Sequence, residues 1–270
     1  MIGKKIGVIG CGNMGRALVK GLLARNLVAK QDVLIADQVN EQRDHLKSES
    51  GVLGSQSNKA LVAESQIVIL AVKPRDIKRV LEELAGLFKP NQIVISIAAG
   101  ITISYLARFV TSKVGLARVM PNSPALINQA VSAVCYSPAL KDADKEMVRA
   151  IFGSLGEVVE IEESLMDTVT AISGSGPAYF FLLIKYLAEI GVEFGLTRQI
   201  ADRLALQTAL GSSRMAVEAG GDVDGLINKV ASKGGTTQAA LKVFKEMKLK
   251  QIYLRAVQAA RTKARELSGG

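Results

Sequence analysis

Lys5-Ile6-Gly7-Val8-Ile9-Gly10-Cys11-Gly12-Asn13-Met14-Gly15 stands at the head of the chain, and its reading decides the fold. Lys5–Ile9 is a short β-branched run of strand character, and Arg16–Ala24 has the apolar spacing of a helix. Each glycine between them has its own physical job. Gly10 allows a tight turn, Gly12 lets the backbone approach a diphosphate, and Gly15 lets helix and strand pack closely. The exposed amides and the positive helix start, where Asn13 and Met14 lie, attract phosphate. A glycine-rich turn can also be merely structural. Its place here, after a strand, before a helix and within continued βαβ alternation, points to dinucleotide binding.

Working outward, Val33–Ala36, Ile67–Ala71, Ile93–Ile97 and Gly115–Met120 are further strand candidates. Glu41–Ser48, Asp76–Leu87 and Ser104–Phe109 have helical spacing between them. Such alternation predicts right-handed βαβ units and a parallel sheet covered on both faces. Ala130–Tyr136 and Glu157–Ile161 can extend that sheet, with Asp144–Phe152 as the helix between them. After about Glu163 strand-like runs disappear. Ala178–Phe194, Arg198–Glu218, Gly225–Val230, Gln238–Lys245 and Gln251–Glu266 read as helices, with Pro177 at a start, Gly195 at an end and Thr197 as a cap. The expectation is an α/β protein: a Rossmann-type dinucleotide-binding domain over 1–163, then an all-helical domain over 164–270.

Composition fits this architecture. Apolar residues make up 49% of the chain while aromatics are only 4%, which suits aliphatic packing of helices on parallel strands. It does not suit an aromatic platform for single-stranded nucleic acid. The net charge of +9 is dispersed, so a solvated surface that favours anionic ligands is preferred over a nucleic-acid stripe. Cys11 and Cys135 form no disulfide framework and no CxxC pair, and residue 1 opens no signal-peptide pattern; a reduced, cytoplasmic protein is the expectation. Ala178–Phe194 is interrupted by Lys185, Glu189 and Glu193, so no membrane span is expected. No metal site is expected, because no His, Cys or acidic group has ligand spacing. The acidic Glu157, Glu160, Glu162 and Glu163 read as solvated linker charge.

Asp37 ends a strand roughly 20 residues beyond the glycines, where an acid binds the adenosine ribose hydroxyls. That leans toward NAD over NADP, while Gln38, Arg43 and the basic surface keep NADPH open. Asp37 as a cap for the helix starting near Asn40 is an equal reading. Ala71-Val72-Lys73-Pro74 and Ala98-Ala99-Gly100 follow two other strands, and ligands of open parallel sheets bind at the carboxyl ends of strands. The alanines and glycine leave room for a flat nicotinamide ring. Lys73 either reaches a ribose or phosphate or is a solvated side chain before a helix-starting Pro. Asn58 completes the expected cofactor-binding set.

In the helical half, Ser173-Gly174-Ser175-Gly176-Pro177-Ala178 is a small-residue turn entering an apolar helix. Ala231-Ser232-Lys233-Gly234-Gly235-Thr236-Thr237 is a second glycine-rich loop entering the helix from Gln238. Backbone N–H groups at such a positive helix start, with Ser and Thr hydroxyls beside them, make a site for a carboxylate. The bland alternative is two ordinary capped helix starts.

Across almost its full length the chain resembles the pyrroline-5-carboxylate reductase family. The resemblance rests on Gly10–Gly15, Ala71–Pro74, Val119-Met120-Pro121-Asn122-Ser123-Pro124, the Ser173–Ala178 turn and, most specifically, Ser232 with Gly234-Gly235-Thr236-Thr237. The closing Arg261, Arg265, Glu266 and Leu267 also fit. It implies reduction of a cyclic imine acid to proline by hydride from NADPH or NADH. It further implies that Ser232 and the Gly235–Thr237 backbone hold the substrate carboxylate, with Ser175, Gly234 and Thr236 in the same substrate set. Thr237 would lie near the ring nitrogen, and Asn122 would order the junction between cofactor and substrate. A homodimer or higher homo-oligomer through the helical domain is implied too. Lys233 departs from the family's usual Pro, which loses loop rigidity and adds a charge.

The only histidine, His45, is expected to be a solvated residue of the cofactor domain. An iminium can draw its proton from solvent, so the chemistry asks mainly for the nicotinamide to be held beside the imine carbon. The readings set against this are a reductase of another imine acid or a 2-hydroxy acid, and a nicotinamide-binding protein without catalysis.

Overall fold

The computed structural model describes residues 1–268, with side chains described through Glu266. The side chain of Leu267 and the closing Gly269 and Gly270 of the expected helical domain lie outside the described residues. The chain divides into two compact units: Met1–Ser175 together with the end of the last helix from Ala260, and Gly176–Ala259.

The first unit begins with β1 (Ile6–Ile9), α1 (Asn13–Ala24), β2 (Val33–Ala36), α2 (Asn40–Ser50), β3 (Leu53–Gly54), α3 (Asn58–Glu64), β4 (Ile67–Leu70), α4 (Pro74–Leu84) and β5 (Ile93–Ser96). It continues with α5 (Ile103–Leu106), β6 (Gly115–Met120), β7 (Ala130–Tyr136), α6 (Asp142–Gly153), β8 (Gly156–Glu160) and α7 (Met166–Val169). The strands form one sheet in the order β3-β2-β1-β4-β5-β6-β7-β8. Val8 is in register with Ile35 on one side and Ile69 on the other, and these pairings are parallel. The order reverses between β1 and β4, which opens a crevice at the carboxyl ends of the central strands.

Alternation of side chains buries both faces. Ile6, Val8, Ile67, Ile69, Ile93 and Ile95 point into one core with Leu18 and Leu22 of α1 and Phe152 of α6. Ile9, Val68, Leu70 and Val94 point into the other, with Leu61 of α3 and Ile77, Leu81 and Leu84 of α4. The expected doubly covered α/β sheet is therefore present. β7 pairs antiparallel with β6, because segment 121–129 is too short for the crossover of about a dozen residues that a parallel return needs. Helix α6 then supplies such a return, and β8 lies parallel to β7.

The second unit is helical: α8 (Gly176–Glu193), α9 (Arg198–Glu218), α10 (Val223–Val230), α11 (Thr236–Glu246) and the first part of α12 (Leu249–Ser268). Thr197 caps α9 as expected, its hydroxyl accepting from the Ile200 N–H. Helices α8 and α9 meet through buried Ala188, Ala201 and Ala205. Phe180, Phe181 and Phe194 stay 61%, 64% and 86% exposed, an apolar surface that a helix in water does not normally present.

Candidate active site

The glycine turn has the geometry its sequence asks for. Gly10 sits at φ +107°, a conformation that side chains rarely adopt, and a Cβ there would lie 2.6 Å from the Ala71 carbonyl oxygen. A Cβ on Gly15 would lie 2.0 Å from the Gly10 carbonyl oxygen, so α1 can begin this close to the turn only with glycine. Gly12 is different: a Cβ there would meet nothing within 4 Å. It is the N-cap of α1 and supplies no side-chain cap, so the first amides of the helix face open space. An anionic diphosphate fits that vacant floor.

The turn opens onto a cleft of about 440 Å³. Gly10, Gly12, Asn13 and Asp37 line it, as do Asn58 from the start of α3 and Ala71, Val72 and Lys73 from the segment between β4 and α4. The Asn58 amide donates to the Glu83 carboxylate at 3.0 Å. Lys73 is the N-cap of α4, and Pro74 occupies its first turn, where a missing N–H costs nothing. Gln38, Gln42, Arg75, Asp76 and Arg79 also line the cleft. Of these only Gln38 stands out in the sequence, because a helix that starts on a cleft has no signature of it in its own spacing.

Other members of the expected cofactor set lie behind or beside the cleft. Gly15 is buried and Met14 packs against the core. Ala98 is itself a core side chain. It shares a turn with the half-buried Ala99 and with Gly100, closed by the Ile101 N–H donating to the Ala98 carbonyl.

Asp37 directly follows β2, with both carboxylate oxygens engaged. The Cys11 N–H of the glycine turn donates to Oδ2 at 2.6 Å, and the Val39 N–H donates to Oδ1 at 2.8 Å. Val39, not Asp37, is the N-cap of α2, so the capping alternative does not hold. Burial, reinforced by the Asp37 carboxylate, pushes the Cys11 thiol up to about 12. It stays protonated and inert at neutral pH. His45 is exposed on α2.

On the other side of the sheet's switch point, Asn122 follows β6. Its carbonyl oxygen accepts from the Val131 N–H at 3.1 Å, and its amide donates to the Ser173 carbonyl at 3.3 Å. Ser173 belongs to a π-helical turn, Thr170–Gly174, in which the Ser175 N–H reaches back to the Thr170 carbonyl at 2.9 Å. This corrects the expectation of a free turn opening a helix: the backbone is already helical from Met166, and the Ser175 amide is spent inside it. The cause is legible once seen. The residue four beyond Ser173 is Pro177, which has no N–H, so the Ser173 carbonyl lacks its helical donor and Asn122 replaces it.

In the helical unit, Ser232, Lys233, Gly234 and Thr236 are exposed, and Gly235 and Thr237 half-buried, at the start of α11. The Gly234 N–H donates to the Gln238 side chain at 2.7 Å and the Gly235 N–H to the Ser232 carbonyl at 3.0 Å. Gly235 is the N-cap and has no side chain to satisfy the amides that follow. The Thr236 and Thr237 amides, with their hydroxyls, are thus the donors at this helix start.

One polar cluster was not anticipated. Arg118, on β6, has a side chain 4% exposed, and its guanidinium lies 3.2 Å from the Glu163 carboxylate and 3.8 Å from that of Asp167. Glu163 also accepts from the Ile103 N–H at 2.8 Å. Glu160 pairs with Arg149 at 2.8 Å. Reading these glutamates as solvated linker charge is therefore corrected for Glu163, which ties β6 to α5; Glu160 stays exposed, on β8 and not in a linker. Among the described residues, no group of three or more His, Cys, Asp or Glu side chains is placed to hold a metal ion, and no helix is long and apolar enough to cross a membrane.

Comparison with known proteins bears on both units. Residues 163–267 match the family described as pyrroline-5-carboxylate reductase dimerisation, and residues 5–100 match that described as NADP oxidoreductase coenzyme F420-dependent. A curated pyrroline-5-carboxylate reductase of Pseudomonas aeruginosa is 37% identical, covering 98% of this chain and 97% of its own. The structure of a pyrroline-5-carboxylate reductase from Coxiella burnetii superposes with a TM-score of 0.92 at 33% identity, covering 98% of both chains. That of Plasmodium falciparum pyrroline carboxylate reductase with NADP bound gives 0.88 at 32%, covering 99% of both.

Proposed function

The chain belongs to the pyrroline-5-carboxylate reductase family, and from that premise we propose how its residues carry the reaction. It is an NAD(P)H-dependent oxidoreductase acting on a C=N bond, reducing 1-pyrroline-5-carboxylate to L-proline, the last step of proline biosynthesis. The observation that carries this conclusion is 37% identity over 98% of the chain to one reductase of that name.

When bound, NADPH or NADH supplies the hydride that reduces the imine carbon. The amides of the Gly10–Gly15 turn and the start of α1 hold its diphosphate, and the open floor over Gly12 supports that role. Asp37 takes the adenosine ribose, while Asn58, Ala71, Val72 and Lys73 border the cleft along the rest of the nucleotide and Pro74 starts α4 behind them. Ala98, Ala99 and Gly100 keep the end of β5 small enough for the nicotinamide ring.

Ser232 and the backbone of Gly235–Thr237 hold the substrate carboxylate at the positive start of α11. Gly234 shapes the loop, and the hydroxyls of Ser175 and Thr236 add donors. The Thr237 hydroxyl hydrogen-bonds the ring nitrogen, which takes its proton from solvent, so no histidine is needed. Hydride delivered to the carbon of the protonated imine would leave the secondary amine of proline, with the solvent-derived proton kept on nitrogen. Asn122 acts as a positioning residue through its bonds to Val131 and Ser173. Lys233 adds a cation beside the carboxylate loop where the family usually has Pro.

The protein is a homo-oligomer, in keeping with its match to a dimerisation family. Division of labour between a cofactor domain over 1–163 and a dimerisation and substrate domain over 164–270 is part of the same reading. The exposed Phe180, Phe181 and Phe194 support pairing through the helices. Cytoplasmic residence and the absence of a nucleic-acid partner complete it. The test is incubation with 1-pyrroline-5-carboxylate and either nucleotide: proline forming in step with nucleotide oxidation supports the proposal, and oxidation without proline would overturn it.

A further inference from the structure

We propose that Asp37 makes this chain select NADH over NADPH, an inference that rests on reading the cleft as the nucleotide site. The carboxylate stands at the carboxyl end of β2 and lines the cleft. Each of its oxygens already accepts one backbone N–H, from Cys11 at 2.6 Å and from Val39 at 2.8 Å. A carboxylate has about four acceptor positions, so roughly two remain for neighbouring ribose hydroxyls.

The same two bonds deny the carboxylate a retreat. Turning it away from a 2′-phosphate would break the contact that joins β2 to the glycine turn and the one that leads into α2. A phosphate on the ribose would bring close to two negative charges against a carboxylate held in place. It would also remove the 2′-hydroxyl that a fixed acceptor recognises.

A chain built for the 2′-phosphate needs a free cation at the end of β2. The side chain that follows Asp37 here is the neutral Gln38. The guanidiniums of the region point to neighbours of their own: Arg79 donates to the Gln38 side chain, Arg43 to Asp44 at 2.9 Å, and Arg75 lies 3.8 Å from Asp76. Each of these guanidiniums keeps N–H donors beyond its present contact, but none of them would remove the Asp37 charge.

The experiment is direct binding of NADH and NADPH to the full chain without substrate, read from the fluorescence of the reduced nucleotide, since the protein contains no Trp. Wild type is expected to bind NADPH at least about tenfold more weakly than NADH, the scale of one lost charge-assisted hydrogen bond. Asp37→Ser is expected to shrink that ratio at least about tenfold, and Asp37→Asn, which keeps one acceptor for the turn, to shrink it less. A structural role alone would weaken both nucleotides together and leave the ratio unchanged. Tighter or equal binding of NADPH by wild type would overturn the proposal, as would an unchanged ratio in Asp37→Ser. If the serine variant does not fold, the wild-type ratio and Asp37→Asn decide. Nucleotide selection without turnover of pyrroline-5-carboxylate would leave this proposal standing and count against the assigned reaction alone. Binding of neither nucleotide would overturn the cleft reading and this proposal with it.

Discussion

Replacing Gly12 by Val separates folding from cofactor binding. The position is at φ −68° and ψ −172°, open to any residue, and a Cβ there meets nothing within 4 Å. The variant should fold normally. The expected cost is the exchange of a tolerable N-cap for a poor one, about 1 kcal/mol or less. The binding cost is much larger. An isopropyl group over the first amides of α1 keeps a diphosphate out of hydrogen-bond range, and two charge-assisted bonds lost at roughly 1.5–3 kcal/mol each amount to roughly 3–6 kcal/mol. That converts to an affinity on the order of a hundredfold to ten-thousandfold weaker. Urea unfolding measures the first quantity and nucleotide fluorescence titration the second. A folded Gly12→Val that binds NADH as wild type would refute the placement of the diphosphate, and a loss of several kcal/mol in stability would refute the claim that the floor is empty.

Thr237→Ala should lower turnover of pyrroline-5-carboxylate while leaving nucleotide affinity unchanged; equal loss of NADH binding would place Thr237 in the wrong site. Arg118→Ala should destabilise the protein by about 3 kcal/mol in urea unfolding, because it leaves Glu163 and Asp167 without their buried cation. Glu163→Gln should cost less, since an acceptor for the Ile103 N–H survives. Burial raises the thiols of Cys11 and Cys135 from 9.0 to about 12, so neither should react with a thiol reagent at pH 8 until the protein is unfolded. By the same shift, the folded state keeps protons that the unfolded chain releases, and stability should fall as pH rises from about 9 toward 12.

The sheet is legible because β1, β2, β4 and β5 are continuous apolar runs, buried on both faces, and turn residues bound them. Val33–Ala36, Gly115–Met120 and Ala130–Tyr136 have the same bounds in sequence and structure. Where the expected strand ran one residue too far, at Ala71 and Ile97, the backbone has already turned toward the loop that follows. Strand direction carries no hydrophobic signature, so the antiparallel β7 became clear only from the shortness of 121–129. The exposed pair Leu53–Gly54 and the short α3 are too brief for periodicity to register; Ser57, whose hydroxyl accepts from Ala60, was the one local signal for α3.

In the site, the glycine turn was readable because each glycine answers a local steric demand. The Ser173–Ser175 segment is helical where its small residues signal a turn; Pro177 marks the missing donor locally, but the group that replaces it, Asn122, is distant in sequence. Arg118 and Glu163 have the same limitation. A charge within a strand and one in an acidic run look solvated until the fold brings them within 3.2 Å. Asp37 lies between these cases: its position at a strand end was plain, but its freedom from capping duty could be decided only by its partners.

The most direct test of the account is nucleotide oxidation by the purified full chain with 1-pyrroline-5-carboxylate, with proline measured in the same samples. The account predicts one proline formed for each reduced nucleotide consumed. Folded protein that binds nucleotide yet forms no proline with NADH or with NADPH would contradict it.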